Sequence, residues 1–493
     1  MLKQVVLVCK QKKVLFSGVL LILFCTAVFL INAQQTQFAA AGSTQTLYLP
    51  VVSNGTPAQC RFGVNVIQDP ANVEIEKLNL GWYLNYNTNS SPVMTSLASF
   101  VPVVRLTQTG QNAEDFSYNP SGTALLNAIA ANPGADWLIG NEPDRADFQD
   151  DMEPHVYAAA YAELYNIIKT ADPTARIFAG TIVQPTPIRL EYLDLVLDSY
   201  AVQNSGASMP VDGWSIHNFI LNEVSCDYDP GNCWGAEIPP GIDADFGEIL
   251  SIDDNDNMTL FTQRIENFRQ WMADNGYAGL PLTVSEYGIL MPDYLGFDDA
   301  RVNAFMDASF DYMLTATDPM LGDPNDGYRL VQTWSWFSTG AVGDVYNGYL
   351  FEGMEGVYPW KLSNMGKNYA DYTKSLVPQI DLYASDFSFS PSNLTAPANV
   401  TLKAQVANSG TNVLAKNFVV RFYNGDPQAG GTQIGTAQPV SLKGCGHNTA
   451  VSVVWSNVPA GSYDLFVVVD ANDGVGEINE QNNTTSLQIS VGN

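Results

Sequence analysis

The stretch Trp137-Leu138-Ile139-Gly140-Asn141-Glu142-Pro143-Asp144-Arg145 decides how the rest of the chain is read. Its first half is an apolar strand end that stops abruptly at an Asn-Glu pair. Pro143 cannot donate to a sheet ladder and sends the chain out into a loop. Glu142 is thereby held at the carboxyl end of a buried strand, the rim where a barrel enzyme places its chemistry. Alone, Asn-Glu-Pro reads equally well as a turn with a solvated glutamate. A second stretch, Pro281-Leu282-Thr283-Val284-Ser285-Glu286-Tyr287-Gly288, ends another β-branched strand with another glutamate, and it outweighs that plainer reading.

Working outward, short β-branched or aromatic runs recur at 62–67, 81–85, 101–106, 137–140, 177–183, 213–217, 282–286 and 330–336. Helical periods lie between them. Tyr157, Tyr161, Leu164 and Ile168 make one apolar stripe, and Phe261, Ile265, Phe268 and Met272 repeat it. Strand–helix alternation of this kind predicts a (β/α)8 TIM barrel over residues 60–377. A doubly wound open sheet is the alternative, but Phe62-Gly63-Val64-Asn65-Val66 lacks the Gly-rich phosphate turn that such a sheet wants. After Val377-Pro378 the period changes to two, as in Val400, Leu402, Ala404 and Val406, with turns such as Asn424-Gly425. Residues 379–493 are therefore expected to form an all-β Ig-like sandwich. Each part has a complete hydrophobic pattern, so the barrel is expected to fold without the sandwich. A Cys60–Cys445 bond is the first thing that would upset that expectation.

Asp and Glu number 51 against 22 Lys and Arg in 493 residues, a formal charge of −29. No basic stripe occurs past residue 13, which argues against nucleic acid and anionic membrane surfaces and favours neutral substrates. Lys3, Lys10, Lys12 and Lys13 precede an apolar run from Val14 to Ile31. Residues 1–33 thus read as an export signal or an uncleaved membrane anchor, which predicts a secreted or cell-surface protein. Residues 34–59 read as a linker. Cys9 and Cys25 fall in the signal, leaving Cys60, Cys226, Cys233 and Cys445 for an oxidising compartment. Cys226 and Cys233 are expected to pair within a Pro/Gly-rich loop.

No metal or organic cofactor is called for. The three histidines, His155, His217 and His447, have no zinc spacing with the cysteines. Asp253-Asp254-Asn255-Asp256 lacks the glycine and closing glutamate of an EF-hand loop and reads as a helix cap.

In the barrel reading Glu142 ends the fourth strand and Glu286 the seventh. Two carboxylates facing one another across a barrel mouth are the equipment for cleaving a glycosidic bond. One must hold a proton for the leaving oxygen, while the other attacks the anomeric carbon or activates a water. Their mutual repulsion keeps one protonated near neutral pH. Asn141, beside Glu142, can hydrogen-bond a sugar hydroxyl. His217 ends the sixth strand in a chain that nearly avoids histidine, and a subsite role is expected. Trp334 and Trp336 alternate on the last strand, and Trp336 is placed at the rim to stack on a sugar. Tyr287, next to Glu286, is grouped with these substrate-binding residues. Arg105 ends the third strand and is expected to pair with an acid near the site, because an unpaired buried Arg is costly.

Gly140-Asn141-Glu142-Pro143 and Ser285-Glu286-Tyr287-Gly288 together resemble clan A of the retaining glycoside hydrolases, over roughly residues 60–376. The resemblance implies Glu142 as acid/base and Glu286 as nucleophile. Gly81-Trp82-Tyr83-Leu84-Asn85 and Trp214-Ser215-Ile216-His217-Asn218 also resemble the endo-β-1,3-glucanase branch of that clan, although Asn85-Tyr86 departs from its aromatic arrangement. In the sandwich, Asp470-Ala471-Asn472-Asp473-Gly474 leads into Glu477-Ile478-Asn479-Glu480-Gln481-Asn482-Asn483, which resembles the CARDB type of bacterial extracellular domain. The implied partner is a polysaccharide or oligosaccharide, with the C-terminal module able to contact a cell surface or glycan. The rival from another class is a glycan-binding or adhesion protein on an inactive barrel, which has no need of two carboxylates at these strand ends. A hydrolase of another bond type would want metal-ligand histidines or a nucleophile-elbow serine, and neither is present.

Overall fold

The computed structural model describes residues 56–67, 72–89, 97–146, 149–343 and 345–493. The expected signal or anchor at 1–33 and most of the linker at 34–59 lie outside the described residues. No described helix is long and apolar enough to cross a membrane.

Runs buried on both faces build most of the first sheet. It contains β1 (Phe62–Asn65), β2 (Trp82–Leu84), β3 (Ser99–Phe100), β4 (Val103–Gln108), β5 (Phe116–Asn119), β6 (Asp136–Ile139), β7 (Arg176–Ile182), β8 (Gly213–His217), β9 (Leu282–Tyr287) and β10 (Thr333–Trp336). Of these, β3 is half-buried and β5 is exposed on one face. The order is β3-β2-β1-β10-β9-β8-β7-β6-β4-β5, and every pairing is parallel except that of β5 on β4. The ring closes between β3 and β4, because only Val101 and Pro102 separate them, and β5 is left as an antiparallel strand on β4 outside the ring. Val101 N donates to Tyr83 O at 3.0 Å and Leu138 N to Pro102 O at 3.0 Å, so one short segment bridges the second and fourth barrel strands. The sheet closes into a TIM barrel. β1 and β8 are buried at every position, as expected of parallel strands with helices outside and packed side chains inside.

The outer layer is α1 (Gly122–Ala131), α2 (Pro154–Ala171), α3 (Pro187–Gln203), α4 (Met258–Asp274), α5 (Asp299–Thr315) and α6 (Asn364–Lys374). A 3-10 turn at Ile75–Leu78 stands where a first helix would. α2 and α3 both begin on proline, whose missing N–H costs nothing in the first turn. The expected stripe Tyr157, Tyr161, Leu164 and Ile168 is fully buried on α2. The cap of α4 is Asn257, which accepts from Thr259 N and Leu260 N. The acidic run before it forms its own 3-10 turn, Ile252–Asp256. A hairpin of β11 (Phe351–Glu352) and β12 (Lys361–Leu362) lies in the loop after β10.

The period-two segments form the sandwich. One sheet is β13 (Leu382–Ser390), β14 (Ala398–Asn408) and β17 (His447–Val458). The other is β15 (Leu414–Asn424), β16 (Thr432–Lys443), β18 (Gly461–Val468) and β19 (Thr484–Val491) in the order β16-β15-β18-β19. Val400, Leu402, Ala404 and Val406 face Phe418, Val420 and Phe422 in one core, and their neighbours along each strand point outward.

The sandwich meets the amino-terminal end of the barrel. Asn412 Nδ2 donates to Leu80 O, Ser99 Oγ lies 3.4 Å from His447 Nε2, and Cys60, just before β1, is bonded to Cys445. Glu142 and Glu286 sit at the opposite ends of their strands. The Cys60–Cys445 bond spans 385 residues, whereas the expected Cys226–Cys233 bond spans only 7. Loop-closure entropy assigns the long bond about 6 kcal/mol and the short one about 2 kcal/mol. The Cys60→Ala/Cys445→Ala pair is therefore expected to lower the denaturation midpoint well beyond the Cys226→Ala/Cys233→Ala pair. Equal losses in urea unfolding would show that the barrel and sandwich gain nothing from being tied.

Candidate active site

The loop after β6 is bent by two residues in left-handed conformations, Gly140 at φ +86° and Glu142 at φ +46°. A non-glycine residue there stores strain of about 1–3 kcal/mol and persists only where the surroundings fix it. Here they do. Glu142 N donates to Thr181 O at 3.0 Å, and Asp150 accepts from Asn141 N at 2.8 Å and from Leu106 N at 2.9 Å. Asp144, two residues on, is held by Arg189, which also binds Glu223 at 2.7 Å. All three side chains are completely buried. The strand end, its loop and the loop after β8 are thus locked together under the site.

Glu142 and Glu286 are 2 % and 4 % exposed, and His217 lies between them. His217 Nδ1 is 2.9 Å from Glu142 Oε1, and Nε2 is 3.3 Å from Glu286 Oε1. The second contact is out of line, which leaves Glu286 Oε1 without a hydrogen bond. Arg145 donates to Glu142 Oε2 at 3.1 Å and to Gly235 O at 2.9 Å, so the disulfide-bearing loop after β8 also braces Glu142. Tyr86, itself at φ +61°, turns its hydroxyl toward Glu286 and Asn65 without a well-aligned bond to either.

These neighbours divide the two carboxyls. Burial alone would raise Glu142, but the His217 hydrogen bond and charge, helped by Arg145, hold it below its ordinary value. Burial raises Glu286 to about 7; His217 opposes that rise and the Glu142 charge adds to it. Burial works against charge on His217, yet the Glu286 and Glu142 carboxylates more than offset it and raise its pKa. Tyr86 is pushed well up, first by burial and then by the Glu286 charge, and stays protonated. Charge repulsion separates the two glutamates as expected. In the free site, however, the proton is favoured on Glu286 and not on Glu142, because both cations contact Glu142.

A cavity of about 280 Å³ opens on this pair. Asn141, Glu142, Glu286 and Arg105 line it; Arg105 binds Asp150 at 2.6 Å. Three expected substrate contacts need correction. His217 does not reach the cavity wall, since both ring nitrogens face carboxylates. Trp336 is 0 % exposed, donates to Gly348 O at 2.7 Å and packs on Phe305 and Phe310 of α5. Tyr287 is equally buried, against Phe261 and Trp336. Both aromatics point outward from the barrel into the helix layer. The aromatics on the cavity wall are Tyr86, Phe219 and Phe337, joined by Arg145 and Gln149. Arg145, three residues after Glu142 where any helical or turn geometry brings side chains together, was visible in the sequence; Tyr86 carried no such signal.

Residues 62–221 match the family model described as glycosyl hydrolase catalytic core, and residues 379–487 match that described as CARDB. Comparison with curated proteins returns no match. Among solved structures the chain is similar to an endo-β-1,3-glucanase from Pseudomonas viridiflava, at 15% identity over 63% of this chain and 97% of that one, with a TM-score of 0.40. It is also similar to an oligosaccharide-binding protein from Trichoderma gamsii, at 15% identity over 65% and 95%, with a TM-score of 0.38. The CARDB domain of a Pyrococcus furiosus protein, solved with di-metal ions, is 24% identical over 23% of this chain and 89% of that one, with a TM-score of 0.20.

Proposed function

We propose that this chain, which joins a glycosyl hydrolase catalytic core to a CARDB domain, is an exported retaining glycoside hydrolase acting on β-linked glycans, β-glucan among them. The observation that carries the reading is the approach of the two carboxyl groups: ligand oxygens of Glu142 and Glu286 and a His217 nitrogen all lie within 4.8 Å of one another. Inverting enzymes hold their carboxyls about 6.5–9.5 Å apart to admit a water, and retaining ones about 5–5.5 Å. A spacing this short leaves room for direct attack on the anomeric carbon.

Glu286 attacks the anomeric carbon as the glycosidic bond breaks, and a covalent glycosyl-enzyme forms. Glu142 and His217 together hold the proton needed by the leaving oxygen. With it on Nδ1 they are carboxylate and imidazolium; with it on Oε1 they are carboxylic acid and imidazole. Glu142 then takes a proton from the water that releases the sugar. Arg105 and Asn141 supply polar groups for sugar hydroxyls, and the apolar rings of Phe219 and Phe337 suit a sugar face. The cavity is at the lower end of small-molecule sites, which run to about 300–1,000 Å³, so it takes the reacting sugar while the rest of the chain lies along the rim. The rival reading, a glycan-binding protein on an inactive barrel, has no use for a buried carboxyl pair. The sandwich, docked at the far end of the barrel, is proposed to tether the enzyme to a cell surface or glycan. Export is supported by the Lys-rich start and apolar run alone.

Reducing-end release across a panel of β-glucans, mannans and xylans, with the product anomer followed by NMR, tests the proposal. An inverted product, or no release from any of them, would overturn it.

The pH dependence follows from Glu286. The nucleophile must be ionised, and its pKa is raised to about 7. Activity is therefore present above that pH and lost below it. The acid limb of kcat/KM, which reports the free enzyme, is expected near 7. A limb near 4.5, the ordinary value for a glutamate, would mean that burial does not govern Glu286.

A further inference from the structure

We propose that Arg189 is a positioning residue for the proton chemistry of Glu142: from the start of α3 it pins the two loops that fix the Glu142 side chain. The inference rests on the hydrolase reading and gives a role within it to a residue that is fully buried and does not line the cavity.

Five hydrogen bonds match the five N–H groups of the Arg189 guanidinium. Nε donates to Glu223 Oε1 at 2.7 Å. One terminal nitrogen donates to Asp144 Oδ2 and, at 2.7 Å, to Asp144 O. The other donates to Ala236 O at 2.7 Å and to Glu237 O at 2.9 Å. Every acceptor lies in the loop after β6 or the loop after β8, and none lies in α3, which carries the arginine. The guanidinium is therefore a pin between two loops and not an anchor for its own helix.

Both loops lead to Glu142. Asp144 lies two residues beyond it, and holding the Asp144 carboxylate and carbonyl holds the turn in which Glu142 sits at φ +46°. On the other side, Gly235, Ala236 and Glu237 offer three successive carbonyls to two arginines. Gly235 O accepts from Arg145 at 2.9 Å, and the next two accept from Arg189. Arg145 in turn donates to Glu142 Oε2 at 3.1 Å. A shift of Ala236 and Glu237 would carry Gly235 O with it and draw Arg145 off the carboxylate. None of the five Arg189 bonds reaches β9, so Glu286 keeps its place. Loosening Arg189 should therefore disturb proton transfer by Glu142 and spare nucleophilic attack.

The test assays Arg189→Lys on a polysaccharide and on an aryl glycoside with an acidic phenol, alone and combined with Glu142→Ala. Lysine keeps the charge that the buried carboxylates need, but it lacks the planar fork and cannot reach both loops. The polysaccharide kcat/KM is expected to fall by about tenfold or more, because its leaving oxygen needs the proton. The aryl glycoside needs little protonation, and its kcat/KM should stay within about threefold of the parent. A smaller folded fraction would instead lower both substrates equally. On the Glu142→Ala background Arg189→Lys should change neither value by more than about threefold, because the group it positions is gone. Asp144→Asn keeps the side-chain shape and leaves one guanidinium facing one carboxylate, so it should fold if Arg189→Lys does not, and it should show the same split. Equal losses on the two substrates, no loss on either, or losses that multiply with those of Glu142→Ala would overturn the inference. A parent enzyme that hydrolyses neither substrate would overturn the hydrolase reading itself, and this inference with it.

Discussion

Replacing Glu286 by alanine is expected to cut hydrolysis of every substrate by a factor on the order of 10⁵, equivalent to about 7 kcal/mol of transition-state stabilisation. The size follows from what is lost. The glycosyl-enzyme bond is made to this carboxylate, and among the described residues no third carboxylate reaches the cluster. A better leaving group does not help, because attack and not protonation has been removed. Aryl glycosides and polysaccharides should therefore fall together. The variant should nevertheless fold. Burial raises the Glu286 pKa to about 7, so its ionised form is unfavourable inside the protein, and deleting it relieves that cost. Equal or higher thermal stability alongside lost turnover is the expected pair of results. Activity within tenfold of the parent would remove Glu286 from the reaction.

The barrel was legible because its strands are short apolar runs broken by loops, a pattern that survives any detail of packing. Both glutamates were legible because each ends such a run. The side chosen for Trp336 was not. Both faces of a barrel strand are buried, so burial alone does not say which face a residue takes. On β10 the inward side chains are Thr333 and Ser335, hydrogen-bonded to Thr283 and Asn65, and the tryptophans alternating with them face the helices. Trp334 and Trp336 do share one: Trp334 packs on Phe62 and Trp336 on α5. The ladder shifts between them, and the next residue, Phe337, turns onto the cavity wall. Tyr287 failed for the same reason, one residue beyond the glutamate it was grouped with. His217 was picked out for its rarity, yet its partners come from two other strands, and their charges are what decide its role. The proton order of the glutamates was equally out of reach, because it depends on Arg145 and His217 both closing on Glu142. In the sandwich, by contrast, one face is solvated, and a period of two located the strands directly.

Replacing Glu142 by alanine is expected to separate substrates by their leaving groups. A polysaccharide leaves as a poor alkoxide and needs the proton that Glu142 and His217 hold, so its kcat/KM should fall by a factor on the order of 10³. An aryl glycoside with an acidic phenol needs little protonation, and its kcat/KM should stay within about tenfold of the parent. Its turnover should still slow, because Glu142 is also the base for the water that releases the sugar. The glycosyl-enzyme then accumulates, and a burst of phenol should be visible. The substitution also empties a space beside Arg145, whose guanidinium now lacks its Glu142 partner and can receive an anion. Azide needs no base and fits that space. Added azide should restore turnover and yield a glycosyl azide of retained configuration. His217, left with one of its two carboxylates, should lose a proton more readily, which moves the alkaline limb of the aryl glycoside profile to lower pH. The opposite pattern would exchange the two roles: a Glu286→Ala enzyme rescued by azide to the same anomer, and a Glu142→Ala enzyme dead to aryl glycosides. That outcome would fit the free-site proton order, in which Glu286 is the carboxyl that burial keeps protonated.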